Sequence, residues 1–352
     1  MISDIAIAGR QIGPGHPPYI IAEMSANHLG QLDRALAIID AAKKAGADAV
    51  KIQTYTADTI TIDHDGPEFR IKGGLWDGRT LYDLYREAHT PWDWHPRLFE
   101  HARARGIALF SSPFDLTAID LLESLGAPAY KIASFELVDI PLIRYAAAKG
   151  KPLVISTGMA GMEEIEDAVM AARGAGDGGI VLLHAVSGYP TPPEDSNLLR
   201  LRILAERFGA LVGLSDHTMG TACAVASVAL GAVAIEKHLT LRRADGGPDG
   251  AFSLEPEEMK TLVVESRTAF AALGTGRDAR APSESGNALF RRSLYVVRDV
   301  AAGEAFTGDN VRSIRPGLGL PPKHLPEVLG RKAARAIKRG TPMSWDLVAP
   351  KP

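Results

Sequence analysis

The chain alternates between short apolar runs and longer amphipathic stretches, regularly enough to name its elements. Runs of four to six apolar residues between polar ones predict buried strands. Longer stretches with apolar positions three and four apart predict helices. Strands are expected at residues 19–22, 49–53, 108–111, 129–132, 153–155 and 180–183. Two more run through 210–214 and 232–235 and end at the polar tetrads Leu214-Ser215-Asp216-His217 and Ile235-Glu236-Lys237-His238. Helices are expected at 32–45, 94–105, 115–125, 140–148, 163–173, 198–208, 221–230 and 255–273, the first stopped by Gly46.

Eight strand-helix units over about 270 residues fit an α/β chain folded as a (β/α)8 TIM barrel, which typically takes about 250. An open doubly wound sheet also alternates, but it carries a Gly-rich dinucleotide turn after its first strand, and none stands there. The barrel is therefore expected over 1–275. A Gly-, Ser-, Arg- and Ala-rich linker follows at 276–290, then a small domain at 291–352. That domain repeats itself: Val300 to Val311 recurs in register as Ile337 to Val348, each copy with a Gly turn (Gly303, Gly340) and a hydroxyl at the position of a helix N-cap (Thr307, Ser344). Residues 54–91 are too long for an ordinary connection, which marks them as a functional lid or substrate wall.

Composition narrows the function. A formal charge of −3 leaves no basic excess for nucleic acid or a membrane surface. The longest apolar run, 222–235, is shorter than the roughly 20 residues needed to span a bilayer. No signal peptide is apparent at the N-terminus. The lone cysteine, Cys223, rules out an internal disulfide and reads as a small buried helix residue, in keeping with a reducing, cytoplasmic setting.

Polar residues collect at the C-terminal ends of the predicted strands, the face where barrels of this kind carry their active sites: Glu23, Lys51, Ser112, Ser134, Ser187 with Tyr189, Ser215 with His217, and Glu236 with His238. Lys51 and Lys131 sit inside apolar strands, where a lysine is costly unless it meets an anion or a carboxylate. Ser112, Ser134, Ser187 and Ser215 add hydroxyls of the kind that surround phosphate or carboxylate oxygens. Taken one at a time, each serine reads more readily as a backbone cap. His217 and His238 offer two nitrogen donors with no cysteine near, which suits a divalent ion with open positions acting as a Lewis acid. Asp249, in the Gly-rich turn Asp245-Gly246-Gly247-Pro248-Asp249, is a candidate acceptor for a sugar hydroxyl. Arg315 sits on a rigid turn of the small domain, where pattern alone assigns it no role.

Longer motifs carry a resemblance. Ala22-Glu23-Met24-Ser25-Ala26-Asn27-His28, Gly46 to Gln53, Tyr130-Lys131-Ile132-Ala133-Ser134, Ser156-Thr157-Gly158-Met159, Gly213 to Thr218 and Ile235 to His238 resemble the sialic acid (N-acetylneuraminate) synthase family, nearly along the whole chain. Arg291-Arg292-Ser293-Leu294 and Arg315-Pro316-Gly317 look like that family's antifreeze-like (SAF) domain. Within the family, Gly13 to Pro18 and Arg243 to Asp249 are most similar to the pseudaminate-forming branch.

The resemblance implies condensation of phosphoenolpyruvate with an amino sugar, 2,4-diacetamido-2,4,6-trideoxy-L-altrose in that branch, with release of phosphate. N-acetylneuraminate and legionaminate synthesis are the alternatives. It implies a divalent metal on His217 and His238, Mn2+ first, with Mg2+ or Co2+ possible. Lys51, Lys131, Ser134, Ser187 and Ser215 would hold phosphoenolpyruvate, with Ser112 and Glu236 also in the substrate-binding set. Glu23 and Tyr189 would lie by the sugar and the condensing carbons, and Asp249 by a hydroxyl. Arg315 would come from the partner of a domain-swapped homodimer. The chain departs from the family at Leu29, where an Asn is usual, at Ser112 in place of Thr, and at Ala185-Val186-Ser187 in place of a Cys-Thr start. A non-catalytic carbohydrate-binding protein of the same fold would dispense with the histidines or lysines, and all four are present.

Overall fold

The computed structural model describes residues 3–350. The chain forms two compact units, the first ending at Gly274 and the second beginning at Thr275.

The first unit opens with an antiparallel hairpin that the apolar pattern does not reveal, β1 (Ile5–Ile7) and β2 (Arg10–Ile12). Its turn residues Ala8 and Gly9 both have positive φ, 49° and 81°, as a tight two-residue hairpin turn requires. Ile7 and Ile12 are fully buried against Tyr19, Ala49, Val154 and Val181, so the hairpin stoppers the barrel at the strands' N-terminal ends.

Eight parallel strands close the barrel: β3 (Tyr19–Glu23), β4 (Ala49–Thr54), β5 (Ala108–Pro113), β6 (Tyr130–Ile132), β7 (Leu153–Ser156), β8 (Ile180–Ala185), β9 (Leu211–Asp216) and β10 (Ala234–His238). Each pairs with the next, and β10 returns to β3 with His238 opposite Glu23. The helices form the outer ring: α1 (Leu32–Ala45), α4 (His95–Arg105), α5 (Leu116–Ser124), α6 (Ile140–Ala147), α7 (Met162–Ala175), α8 (Arg200–Phe208), α9 (Ala222–Ala229) and α10 (Pro256–Leu273). Gly46 does end α1, in the left-handed region at φ 89°. The excursion between β4 and α4, expected as a lid or substrate wall, contains two further short helices, α2 (Ala57–Ile60) and α3 (Leu81–Ala88). Cys223 lies on α9 as expected but is only half-buried, with Ser196 Oγ 3.7 Å from its sulfur. No described helix is long and apolar enough to cross a membrane.

Strand alternation sorts the side chains. Successive residues face the barrel interior and the helix layer in turn. Tyr19, Ile21, Phe110, Val154 and Val181 fill the lower interior, while Ile20, Ala22, Val50, Ile132 and Ile155 pack under the helices. Carrying that alternation upward turns Glu23, Lys51, Gln53, Ser112, Lys131, Ser156, Ser215 and Glu236 inward.

In the second unit, β11 (Ser293–Val296) pairs antiparallel with β12 (Val311–Ile314). The two copies of the internal repeat meet at Val300 and Ile337, which exchange both backbone hydrogen bonds, at 2.9 and 2.8 Å. Phe306 and Met343, and Val311 and Val348, are the matching apolar residues of one buried cluster. The hydroxyls differ in use. Thr307 Oγ1 accepts from Asp309 N at 3.3 Å, whereas Ser344 Oγ donates to the Asp346 carboxylate. Within 276–290, residues Pro282–Phe290 form a 3-10 stretch.

Candidate active site

The upper barrel holds a buried charged cluster whose members come from strands far apart in sequence. Glu236 on β10 is its hub. Its Oε1 lies 2.8 Å from Lys51 Nζ on β4 and 3.6 Å from Lys131 Nζ on β6, and it accepts from Ser215 Oγ on β9 at 3.0 Å. Lys51 also meets Glu23 at 3.2 Å. Burial alone would raise the pKa of Glu236. The ammonium groups of Lys131 and Lys51 outweigh it and hold the carboxyl well below its usual range. Burial likewise opposes the charge on Lys51, yet Glu23 and Glu236 hold it above the ordinary lysine value. Burial dominates at the other two: Glu23 is pushed up to about 7 and Lys131 is drawn down to about 8. The cluster therefore sets two carboxyl groups against two lysines, with Glu23 the member that titrates near neutrality.

Next to it the loops after β6, β7 and β8 converge. Ser134 Oγ accepts from Gly158 N at 3.2 Å. A Cβ on Gly158 would lie 2.6 Å from Ser187 Oγ and 2.8 Å from Ser134 Oγ, so the glycine leaves the gap between the two hydroxyls open. Ser112, Ser156 and Ser187 have buried hydroxyls without a partner, and so does Glu236 Oε2. A buried polar atom left unmatched is costly unless a ligand completes it.

His217 and His238 face one another, ring centroids 5.5 Å apart. Nδ1 of His217 lies 2.8 Å from the Val186 carbonyl oxygen. A carbonyl only accepts, so Nδ1 carries the hydrogen and Nε2 keeps its lone pair, the form in which imidazole binds metal. Nδ1 of His238 is buried and unpartnered. Burial lowers the pKa of both rings and keeps them neutral. Among the described residues no group of three or more His, Cys, Asp or Glu side chains is placed to hold an ion. The donor set thus fits a metal held by two protein nitrogens with its other positions left to ligands, and does not fit a closed structural site.

The outward residues between these inward ones form a second, fully paired element. Lys237 donates to Asp216 Oδ2 at 2.7 Å and to the Thr218 carbonyl, while Asp216 Oδ1 accepts from Thr218 N at 2.9 Å. This pair ties β9 to β10 directly behind the two histidines.

The mouth is walled by aromatic rings. Tyr189 lies tilted against His217, ring centroids 4.4 Å apart, and Phe252 lies 5.3 Å from Tyr189 and 4.9 Å from His238. Asp249 is buried, its Oδ2 accepts from Ala26 N at 3.2 Å, and burial raises its pKa. Gln53 bridges Glu23 and Ser25 at 3.2 and 3.1 Å. Of the residues singled out in the sequence, Glu23, Lys51, Ser112, Lys131, Ser134, Ser187, Tyr189, Ser215, His217, Glu236, His238 and Asp249 share this end of the barrel. Arg315 belongs to the second unit, following β12. Sequence reasoning missed Gln53, Gly158, Phe252 and the Asp216–Lys237 pair. The last was signalled by the opposite charges standing immediately before each histidine.

Residues 38–278 match the NeuB family, and residues 291–349 match the SAF domain. The chain belongs to the NeuB family. A pseudaminic acid synthase of Helicobacter pylori is 45% identical to this NeuB-family chain, covering 94% of it and 97% of the relative. A pseudaminic acid synthase of Campylobacter jejuni is 47% identical over 92% of this chain and 94% of its own. Among solved structures, the N-acetylneuraminic acid synthetase of Leptospira borgpetersenii superposes with a TM-score of 0.73 at 32% identity, over 82% of this chain and 95% of that one.

Proposed function

We propose that this NeuB-family chain is a pseudaminic acid synthase. It condenses phosphoenolpyruvate with 2,4-diacetamido-2,4,6-trideoxy-L-altrose and releases phosphate. The observation that carries the reading is the union, at one barrel mouth, of two buried lysines and a hydroxyl-lined gap at Gly158 with two neutral histidines. The two relatives named as pseudaminic acid synthases support this choice of product.

Lys51 and Lys131 counter the charge of phosphoenolpyruvate, Ser112, Ser134 and Ser187 donate to its phosphate and carboxylate oxygens, and Ser215 joins them by giving up its bond to Glu236. Glu236 keeps the two ammonium groups apart from bulk water and aimed inward until the anion arrives. His217 and His238 would hold a divalent ion, Mn2+ or a close substitute such as Mg2+ or Co2+. Bound there, it supplies Lewis-acid polarisation of the sugar aldehyde. C3 of the enol then bonds to the aldehyde carbon, whose oxygen takes up a proton. Water adds at C2, and phosphate leaves by cleavage of its bond to that carbon. Glu23, with its pKa near 7, holds or gives a proton at the working pH. Asp249 and Tyr189 orient the sugar. Arg315 reaches the sugar from the second unit of a partner copy, in a homodimer that works in the cytoplasm.

The test is phosphate release from phosphoenolpyruvate with each candidate hexose offered separately. Turnover is expected with the trideoxy-altrose. Turnover confined to N-acetylmannosamine, or to the legionaminate precursor, would overturn the assignment.

A further inference from the structure

The long excursion between β4 and α4 returns across the barrel mouth. At its tip Trp76 donates Nε1–H to the Pro248 carbonyl at 3.2 Å, within the loop that carries Asp249. Its ring packs 5.8 Å from that of Tyr189, which in turn lies 4.4 Å from the ring of His217. Trp76 is therefore the outermost member of a chain of rings, through Tyr189, that ends on the two histidines. The indole has one polar atom, and Pro248 takes it. What the half-buried ring offers a ligand is carbon surface alone.

From this geometry we infer that Trp76 is a specificity-determining residue for the sugar: it forms an apolar wall that accepts a deoxy methyl carbon and discriminates against a hydroxyl at the same place. A wall with no free donor or acceptor cannot replace the water a hydroxyl gives up on entering, whereas a methyl group loses none. The inference rests on the sugar-condensing reaction proposed above. It makes Trp76 a sugar contact with no part in binding phosphoenolpyruvate.

The experiment compares matched sugars that differ by one oxygen: 2,4-diacetamido-2,4,6-trideoxy-L-altrose against its 6-hydroxy counterpart, and N-acetylmannosamine against its 6-deoxy form. Whichever pair the unaltered protein turns over is used. It should favour the deoxy member by about tenfold or more in kcat/KM, within the discrimination of about 100-fold that an apolar pocket reaches against an added hydroxyl. Trp76→Ala should bring the ratio within about threefold of unity and raise the sugar KM, leaving the KM for phosphoenolpyruvate unchanged. Trp76→Phe should keep most of the preference. A ratio unchanged in Trp76→Ala overturns the inference, as does an equal loss for both sugars. A protein active only on the mannosamine pair refutes the proposed sugar, and the ratio within that pair still decides the role of Trp76.

Discussion

Gly158→Ala tests the proposed anion-binding gap without deleting any charged or hydroxyl group. The backbone at Gly158 is outside the positive-φ region, so alanine fits its conformation. The added methyl would stand 2.6 Å from Ser187 Oγ and 2.8 Å from Ser134 Oγ, closer than real contacts allow. Ser187 Oγ has no partner and can rotate aside, whereas Ser134 Oγ must give up its bond from Gly158 N. Ser134 Cβ, 3.2 Å from the new methyl, must yield by a few tenths of an ångström, so the fold absorbs the change at the cost of that one hydrogen bond. The unfolded chain loses freedom worth about 0.4–1 kcal/mol, which offsets the cost of rotation. Binding cannot absorb it. Each hydroxyl bond to an anionic oxygen is worth about 1.5–3 kcal/mol. Turning both away costs about 3 kcal/mol or more, on the order of 100-fold in affinity. Steady-state kinetics should show the KM for phosphoenolpyruvate raised by that factor, with the sugar KM nearly constant and Tm by calorimetry within a few degrees of the parent. An unchanged KM for phosphoenolpyruvate at an unchanged Tm would refute the cradle.

Three further outcomes follow from the same geometry. Lys131, drawn down to about 8 by burial, loses its charge as the pH passes that value, so attraction to the anion weakens upward. The KM for phosphoenolpyruvate should climb above pH 8 in the parent, while Lys131→Met shows a high KM and a flat profile there. Breaking one partner of a buried ion pair costs about 3–5 kcal/mol, so Lys237→Met should lower Tm by on the order of 10 °C. Pairing it with Asp216→Leu should recover much of that loss, and no recovery would mean that the pair is not the reason. Arg315→Ala and His238→Gln should each be inactive as homodimers. Mixed under subunit exchange they should regain activity, and a mixture that stays dead counts against a site shared between copies.

The barrel was legible because each strand is buried on both faces and therefore reads as a continuous apolar run. The hairpin at Ile5–Ile12 was not, since three-residue strands leave too short a pattern, and Ala8 is not a residue that announces a positive φ. At the site, the inward polar residues could be picked out singly, but not their partners. Lys51 and Lys131 stand on strands that are not neighbours, and only closure of the barrel brings both to Glu236. Gly158 was visible as part of a motif, yet the space it leaves exists only between loops of different units of the barrel. The landing of Trp76 on Pro248 spans 172 positions of chain and has no local signature.

The Asp216–Lys237 pair has a consequence for how the site is assembled. In a sheet, sliding a strand by one residue exchanges its two faces. Were β10 to settle one position out against β9, Lys237 would enter the mouth and His238 would turn to the helices, with the apolar residues below exchanged as well. The ion pair closes only in the register where Lys237 stands opposite Asp216. It thus acts as an indexing pin during folding, fixing the count along the last two strands so that the histidines arrive side by side.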